Sequence, residues 1–231
     1  MQFKLRGFLL CVLLCFVTVA AARPAAERHE VQRHGYLFEK WVRDTFFDGY
    51  TAKSYTQEWD VAREANAHYG HIPVSIKTAK YGAPVDLGDA LRQYSVDEEF
   101  LLIIGYWKQD GEKKRFVNIV ATRVRPETWR ALWSPLSFED VQKLDEVVKD
   151  RSLSPAAARI AAQQLKHAAP YARAQITLNP KIGSKNQRRL QCSLSFGRVF
   201  KTLAPQANKQ PQAQPQLFGV SAPAFYSPPR S

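Results

Sequence analysis

Apolar positions change their period several times along the chain, and each change marks an element. From Glu27 to about Phe47, Tyr36, Leu37, Trp41, Val42, Thr45 and Phe46 recur every three or four residues, the spacing of one helix face. Asp48-Gly49 ends that helix. Between Tyr55 and Val61 the pattern becomes alternation, with Tyr55, Gln57, Trp59 and Val61 opposite Thr56, Glu58 and Asp60, as in a half-buried strand. After a turn at Ala65 to Gly70, Ile72 to Thr78 alternates again: Ile72, Val74 and Ile76 on one side, Pro73, Ser75 and Lys77 on the other. Pro73 suits a strand entry, where its missing N–H is not needed. Asp86 to Tyr94 reads as a short helix. Phe100 to Trp107 is apolar on both faces, the mark of a central buried strand, and Asp110-Gly111 turns it into a partner from Arg115 to Val124.

Three helices are predicted next, at Pro126 to Trp133, Ser137 to Val148 and Pro155 to His167. Ser137 with Asp140 makes a capping pair, and Ser154 caps the third helix ahead of Pro155 at its first position. Alternation returns at Ala172 to Leu178 and Leu190 to Phe196. From Ala204 the chain is rich in Pro, Gln and Ala and is expected to be disordered, with Leu217-Phe218 and Phe225-Tyr226 as the pieces able to dock. The order of elements predicts an α/β fold, a mixed central sheet flanked by helices on both faces. The expected organisation is residues 1–22 as a signal, 23–203 as one domain and 204–231 as a tail.

The chain has 231 residues, 45% of them hydrophobic, which suffices for one compact core and not for two large ones. Its start reads as a secretory signal: Lys4 and Arg6, an apolar run from Gly7 to Val19, then Ala20-Ala21-Ala22 before Arg23-Pro24. The run is short for a spanning helix, which takes about 20 residues. An export signal is therefore read ahead of an uncleaved anchor or a misassigned start codon. Beyond that segment Cys192 stands alone, so no internal disulfide forms, and its apolar alternating surroundings mark it as a small buried hydrophobe.

Formal net charge is +12, and its distribution matters more than its size. Every acidic residue lies at or before Asp150; Arg151 to Ser231 carries lysines and arginines without one acidic side chain. Such asymmetry points to a polyanionic partner, nucleic acid first and an anionic membrane surface second.

Metal-assisted phosphodiester cleavage needs hard oxygen ligands for a cation such as Mg²⁺ and a lysine to orient water or steady the developing charge. Asp60 ends one predicted strand, and Lys77 lies on the next, where a hairpin brings them side by side. Strand alternation puts Ser75 and Lys77 on one face. Glu39, mid-way along the first helix, has the reach to lean over the sheet. Singly these are a strand-end turn residue, an edge lysine and a solvated helix glutamate; in this order they form a candidate site.

A helix carrying Glu39 in GYLFEKW, a strand ending at Asp60 in EWDV, and Ser75-Ile76-Lys77 in IPVSIKTAK together resemble the PD-(D/E)xK superfamily of restriction-endonuclease-like nucleases, over about residues 30–125. The resemblance implies that Asp60 ligates the metal, Mg²⁺ or Mn²⁺. It also implies that Lys77 acts on the nucleophile, that Glu39 serves a metal-bound water or acts as a base, and that the Ile76 carbonyl is a further ligand. Ser75 stands where the family has Asp or Glu, so one negative charge is missing; Glu39 is placed to supply it, and Glu58 shares the face of Asp60. If neither does, the site is a degenerate one.

A second cluster, NPKIGSKNQRR from Asn179 to Arg189, offers Lys181, Lys185, Arg188 and Arg189 to phosphates between two strands. His29, His34, His68, His71 and His167 lack zinc-type spacing, and no glycine-rich phosphate loop or G-x-S-x-G elbow occurs. Three functions remain in play. The first is a nuclease acting on DNA ahead of RNA, for which a homodimer would suit double-strand cutting. The others are a nucleic-acid-binding module that does not cut and a basic protein bound to an anionic envelope surface.

Overall fold

The computed structural model describes residues 25–52, 58–111, 113–183, 187–223 and 225–226, with backbone alone for 25–34 and 225–226. The expected signal over 1–22 and residues 55–57 of the first predicted strand lie outside the described residues.

Helix α1 runs Ala25–Phe46, followed by strands β1 (Val74–Lys80) and β2 (Val85–Asp89) and the short helix α2 (Ala90–Tyr94). Strands β3 (Phe100–Asp110) and β4 (Lys113–Val124) form the long hairpin, then come α3 (Pro126–Trp133), α4 (Phe138–Lys149) and α5 (Pro155–His167). Strands β5 (Thr177–Ile182) and β6 (Arg188–Leu194) complete the body. The fold is mixed α/β. In the main sheet β1 pairs parallel with β3 and β3 antiparallel with β4, so the sheet is mixed in direction and β3 is internal to it. A second, antiparallel sheet is ordered β2-β6-β5.

The doubly apolar pattern of β3 has a direct cause. Leu101 and Ile103 face a core with Phe38, Val42 and Phe46 of α1 and Phe47 just after it. Leu102, Ile104 and Tyr106 face a larger core with Trp129, Leu132 and Trp133 of α3, Val141 and Leu144 of α4, and Leu190 and Cys192 of β6. Gly105 lets α1 approach this strand: a Cβ there would lie 2.7 Å from Phe38 and Phe116 ring atoms, closer than packed carbons tolerate. Cys192 is fully buried, and that burial drives its thiol far above its ordinary pKa, so it is inert packing.

The capping signals act as expected. Ser137 and Asp140 form a reciprocal capping box, and the Ser154 hydroxyl accepts from Ala157 N. Two readings are corrected. Asp86 to Tyr94 is not one helix: Val85–Asp89 is a strand, because Val85 and Leu87 alternate inward while Gly88 takes φ 96°, and the Asp89 side chain caps only Ala90–Tyr94. The strand predicted from Ala172 begins only at Thr177, after a 3₁₀ turn at Tyr171–Arg173 that buries Tyr171.

The segment after Ala204, expected as disordered, is packed through residue 223. It crosses β4: Gln212 N donates to Val117 O, and the buried Asn118 amide donates to Asn208 O and Gln210 O. A two-residue hairpin of β7 (Gln216–Leu217) and β8 (Val220–Ser221) buries Leu217 against α1 and β4, and β9 (Phe225–Tyr226) pairs with β4. Composition concealed this because a few backbone hydrogen bonds and one buried leucine hold it, not a periodic face. Among the described residues no helix is long and apolar enough to cross a membrane.

Candidate active site

Strand β1 is an edge of the main sheet, and its start is covered by one antiparallel bridge. Val61 pairs with Val74, with Asp60 N and Val61 N both donating to Val74 O. This bridge does what the predicted hairpin was to do. It sets Asp60 beside β1, where its Oδ2 accepts the Ile76 N–H at 2.6 Å and the Lys77 ammonium at 3.0 Å. Lys77 Nζ also donates to the Ile76 carbonyl at 3.1 Å. Ser75 is buried on β1 two residues before Lys77, and brings a hydroxyl where a carboxylate would add charge.

Glu39 reaches the same place from α1. Its carboxyl is raised above the ordinary glutamate value, first by burial and then by the neighbouring Asp60 charge; Arg43 and Lys77 pull it partly back. Arg43, one turn later on α1, places Nη1 3.4 Å from Glu39 Oε1. Glu39 and Asp60 open into a cleft of about 720 Å³ whose wall also includes Tyr36, Arg43, Tyr50 and Trp59. Two carboxylates thus line the cleft, and the Lys77 ammonium and Ile76 carbonyl are held beside one of them, in a partly desolvated corner.

The donor set suits a hard divalent cation, since carboxylate and carbonyl oxygens with open positions for water are what Mg²⁺ takes. The Lys77 ammonium itself bridges Asp60 Oδ2 and Ile76 O, so a cation already satisfies both oxygens. Among the described residues no three His, Cys, Asp or Glu side chains gather into a metal-binding group; the corner has Glu39, Asp60 and a backbone carbonyl.

The second predicted cluster divides. Lys181 and Arg189 are cross-strand partners on β5 and β6, and both are exposed. The Arg188 guanidinium instead donates to Asp150 O and Leu153 O, tying β6 to the loop after α4. Lys185 lies outside the described residues. Lys166, in the last turn of α5, joins the cationic side: burial and the Lys181 charge both lower its pKa. Periodicity gave no hint of Lys166, because its neighbour comes from another element. Arg43 could have been found as the i+4 partner of Glu39, and Tyr36 as an aromatic one turn before it. His68 and His71 are exposed.

No protein-family model, curated protein or solved structure matches this chain.

Proposed function

We propose that the protein is a metal-dependent nuclease on a restriction-endonuclease-like fold, hydrolysing phosphodiester bonds in DNA ahead of RNA, and that it is exported. One observation carries the reading: Glu39 and Asp60 line one cleft, and Asp60 holds Lys77, whose ammonium also meets the Ile76 carbonyl, so groups from three separate segments come together. The same chain adds an exposed cationic pair, Lys181 and Arg189, for backbone phosphates.

Asp60, Glu39 and the Ile76 carbonyl would hold Mg²⁺ or Mn²⁺, which when bound supplies Lewis acidity and a more acidic water. The chain's own groups do the rest. Asp60 fixes Lys77 through Oδ2, so the ammonium is aimed before substrate arrives and its charge faces the scissile phosphate. Glu39, its pKa raised by burial and by Asp60, holds a proton more readily than an ordinary glutamate and is suited to act as a base. A labelled duplex oligonucleotide incubated with the protein in Mg²⁺, Mn²⁺ or EDTA tests the reading: cleavage with metal alone supports it, and intact substrate with both metals overturns it.

A second reading, a binding module that does not cut, is favoured by Ser75 and by the saturation of Asp60 Oδ2 with two donors. It predicts tight, salt-sensitive retention of DNA and no metal requirement.

A further inference from the structure

We infer that the cleft beside Glu39 and Asp60 seats one unpaired nucleotide, so that the strand entering the site is single-stranded there: a free strand, an end or a flap. The proposal rests on the nucleic-acid reading for the class of ligand, and goes beyond it in the strand state that the cleft takes.

Three observations carry it. Tyr36 is 56% exposed, more than Phe138 at 40% or Phe218 at 41%, although it belongs to a helix that buries Phe38, Val42 and Phe46. It lies three residues before Glu39 and seven before Arg43, one face of α1, and all three line the cleft. Tyr50 and Trp59 line the same cleft, Trp59 directly before Asp60. The Arg43 guanidinium is under-used among the described residues: Nη1 lies 3.4 Å from Glu39, and the buried Nε has no hydrogen-bond partner there.

The charge of the cleft decides between duplex and single strand. Glu39, Asp44 and Asp60 stand against Lys40 and Arg43 on its wall, so attraction for a polyanion there is small. Affinity at this place must come from contact between ring faces and bases. A base stacked in a duplex offers only its edge to the groove, whereas an unstacked base offers its face. A cleft of about 720 Å³ is of the size that encloses a small ligand, which fits a single nucleotide and not a continuous duplex.

The test is equilibrium binding in EDTA, by fluorescence anisotropy, of a labelled single-stranded oligonucleotide and of the same strand annealed to its complement. The full chain is compared with Tyr36→Ala and Tyr36→Phe. Tyr36→Ala is expected to weaken single-strand binding about 5- to 100-fold, the effect of losing one base–aromatic stack. Tyr36→Phe should stay within about twofold, because the ring remains. Duplex binding and the salt dependence of both should be unchanged. Unaltered single-strand binding by Tyr36→Ala, or equal weakening on both substrates, would overturn the inference. Because no metal is present, this outcome is independent of cleavage. A chain that binds single strands through Tyr36 yet cuts nothing with Mg²⁺ or Mn²⁺ sinks the nuclease reading and keeps this one.

Discussion

The Lys77 ammonium stands 3.0 Å from Asp60 Oδ2, and that one oxygen also accepts the Ile76 N–H at 2.6 Å. Asp60 therefore has two separable roles: its charge holds Lys77, and its oxygen satisfies a strand amide. Asp60→Asn keeps an oxygen for Ile76, while Asp60→Ala leaves the amide unpaired at a part-buried position. Asp60→Ala should lose about 1–3 kcal/mol of stability and Asp60→Asn clearly less, with both inactive. Thermal unfolding beside the cleavage assay separates the two; equal melting temperatures for the variants would contradict the amide role.

Glu39 gives a prediction in pH. Its folded pKa is raised, chiefly by burial and then by Asp60, so the ionised form is penalised in the folded state above that pKa and the penalty vanishes below the unfolded value, 4.5. Glu39→Gln should therefore melt higher than the natural chain at pH 7 and lose this advantage as pH falls toward 4.5. Its activity should be lost at both, since amide cannot take a proton. A pH-independent difference in melting temperature would contradict the assignment.

Much of this was legible in the sequence because local chemistry and burial agreed. Helices α3 and α5 begin where Pro126 and Pro155 sit at their first positions, and β3 reads as central because it is buried on both faces. A hairpin of two strands predicts the meeting of Asp60 and Lys77, but residues 58–60 form a bend and Val61 alone bridges Val74, so the alternation before Asp60 is not what brings them together. In the tail only Leu217-Phe218 and Phe225-Tyr226 were legible, as apolar pieces able to dock; the stretch before them was not, since backbone hydrogen bonds hold it without periodicity. Arg188 was not either: a run of basic residues gives no sign which guanidinium is taken by carbonyls from a distant loop.

Arg188 and Arg189 should part company on mutation. Arg188→Ala leaves the Asp150 and Leu153 carbonyls without their donor and should cost about 1–3 kcal/mol of stability. Arg189→Ala and Lys181→Ala should leave the melting temperature within about a degree, since exposed substitutions cost little. Each should lower the slope of log K against log salt for DNA by about 1. An unchanged salt slope in the Lys181→Ala, Arg189→Ala double variant would remove this pair from the nucleic-acid surface.

The tail should behave as part of the body. Leu217 is buried, and Phe218, at φ 49°, stacks on Tyr69 with ring centroids 4.0 Å apart. Leu217→Ala should destabilise the protein by about 2–5 kcal/mol, the range for a truncated core leucine. Denaturant unfolding reads it; a loss below 0.5 kcal/mol, the size of a surface effect, would mean that the hairpin contributes no core.

Digestion of supercoiled plasmid by the protein and by Lys77→Ala, each in Mg²⁺, Mn²⁺ and EDTA, bears most directly on the proposed nuclease activity. The arrangement of Asp60, Lys77 and Glu39 predicts nicking with either metal, none in EDTA, and a loss of about 100- to 1,000-fold in Lys77→Ala, the scale for removing one preorganised charge at a reacting phosphate. Plasmid left intact with both metals, or nicked equally by Lys77→Ala, would contradict it.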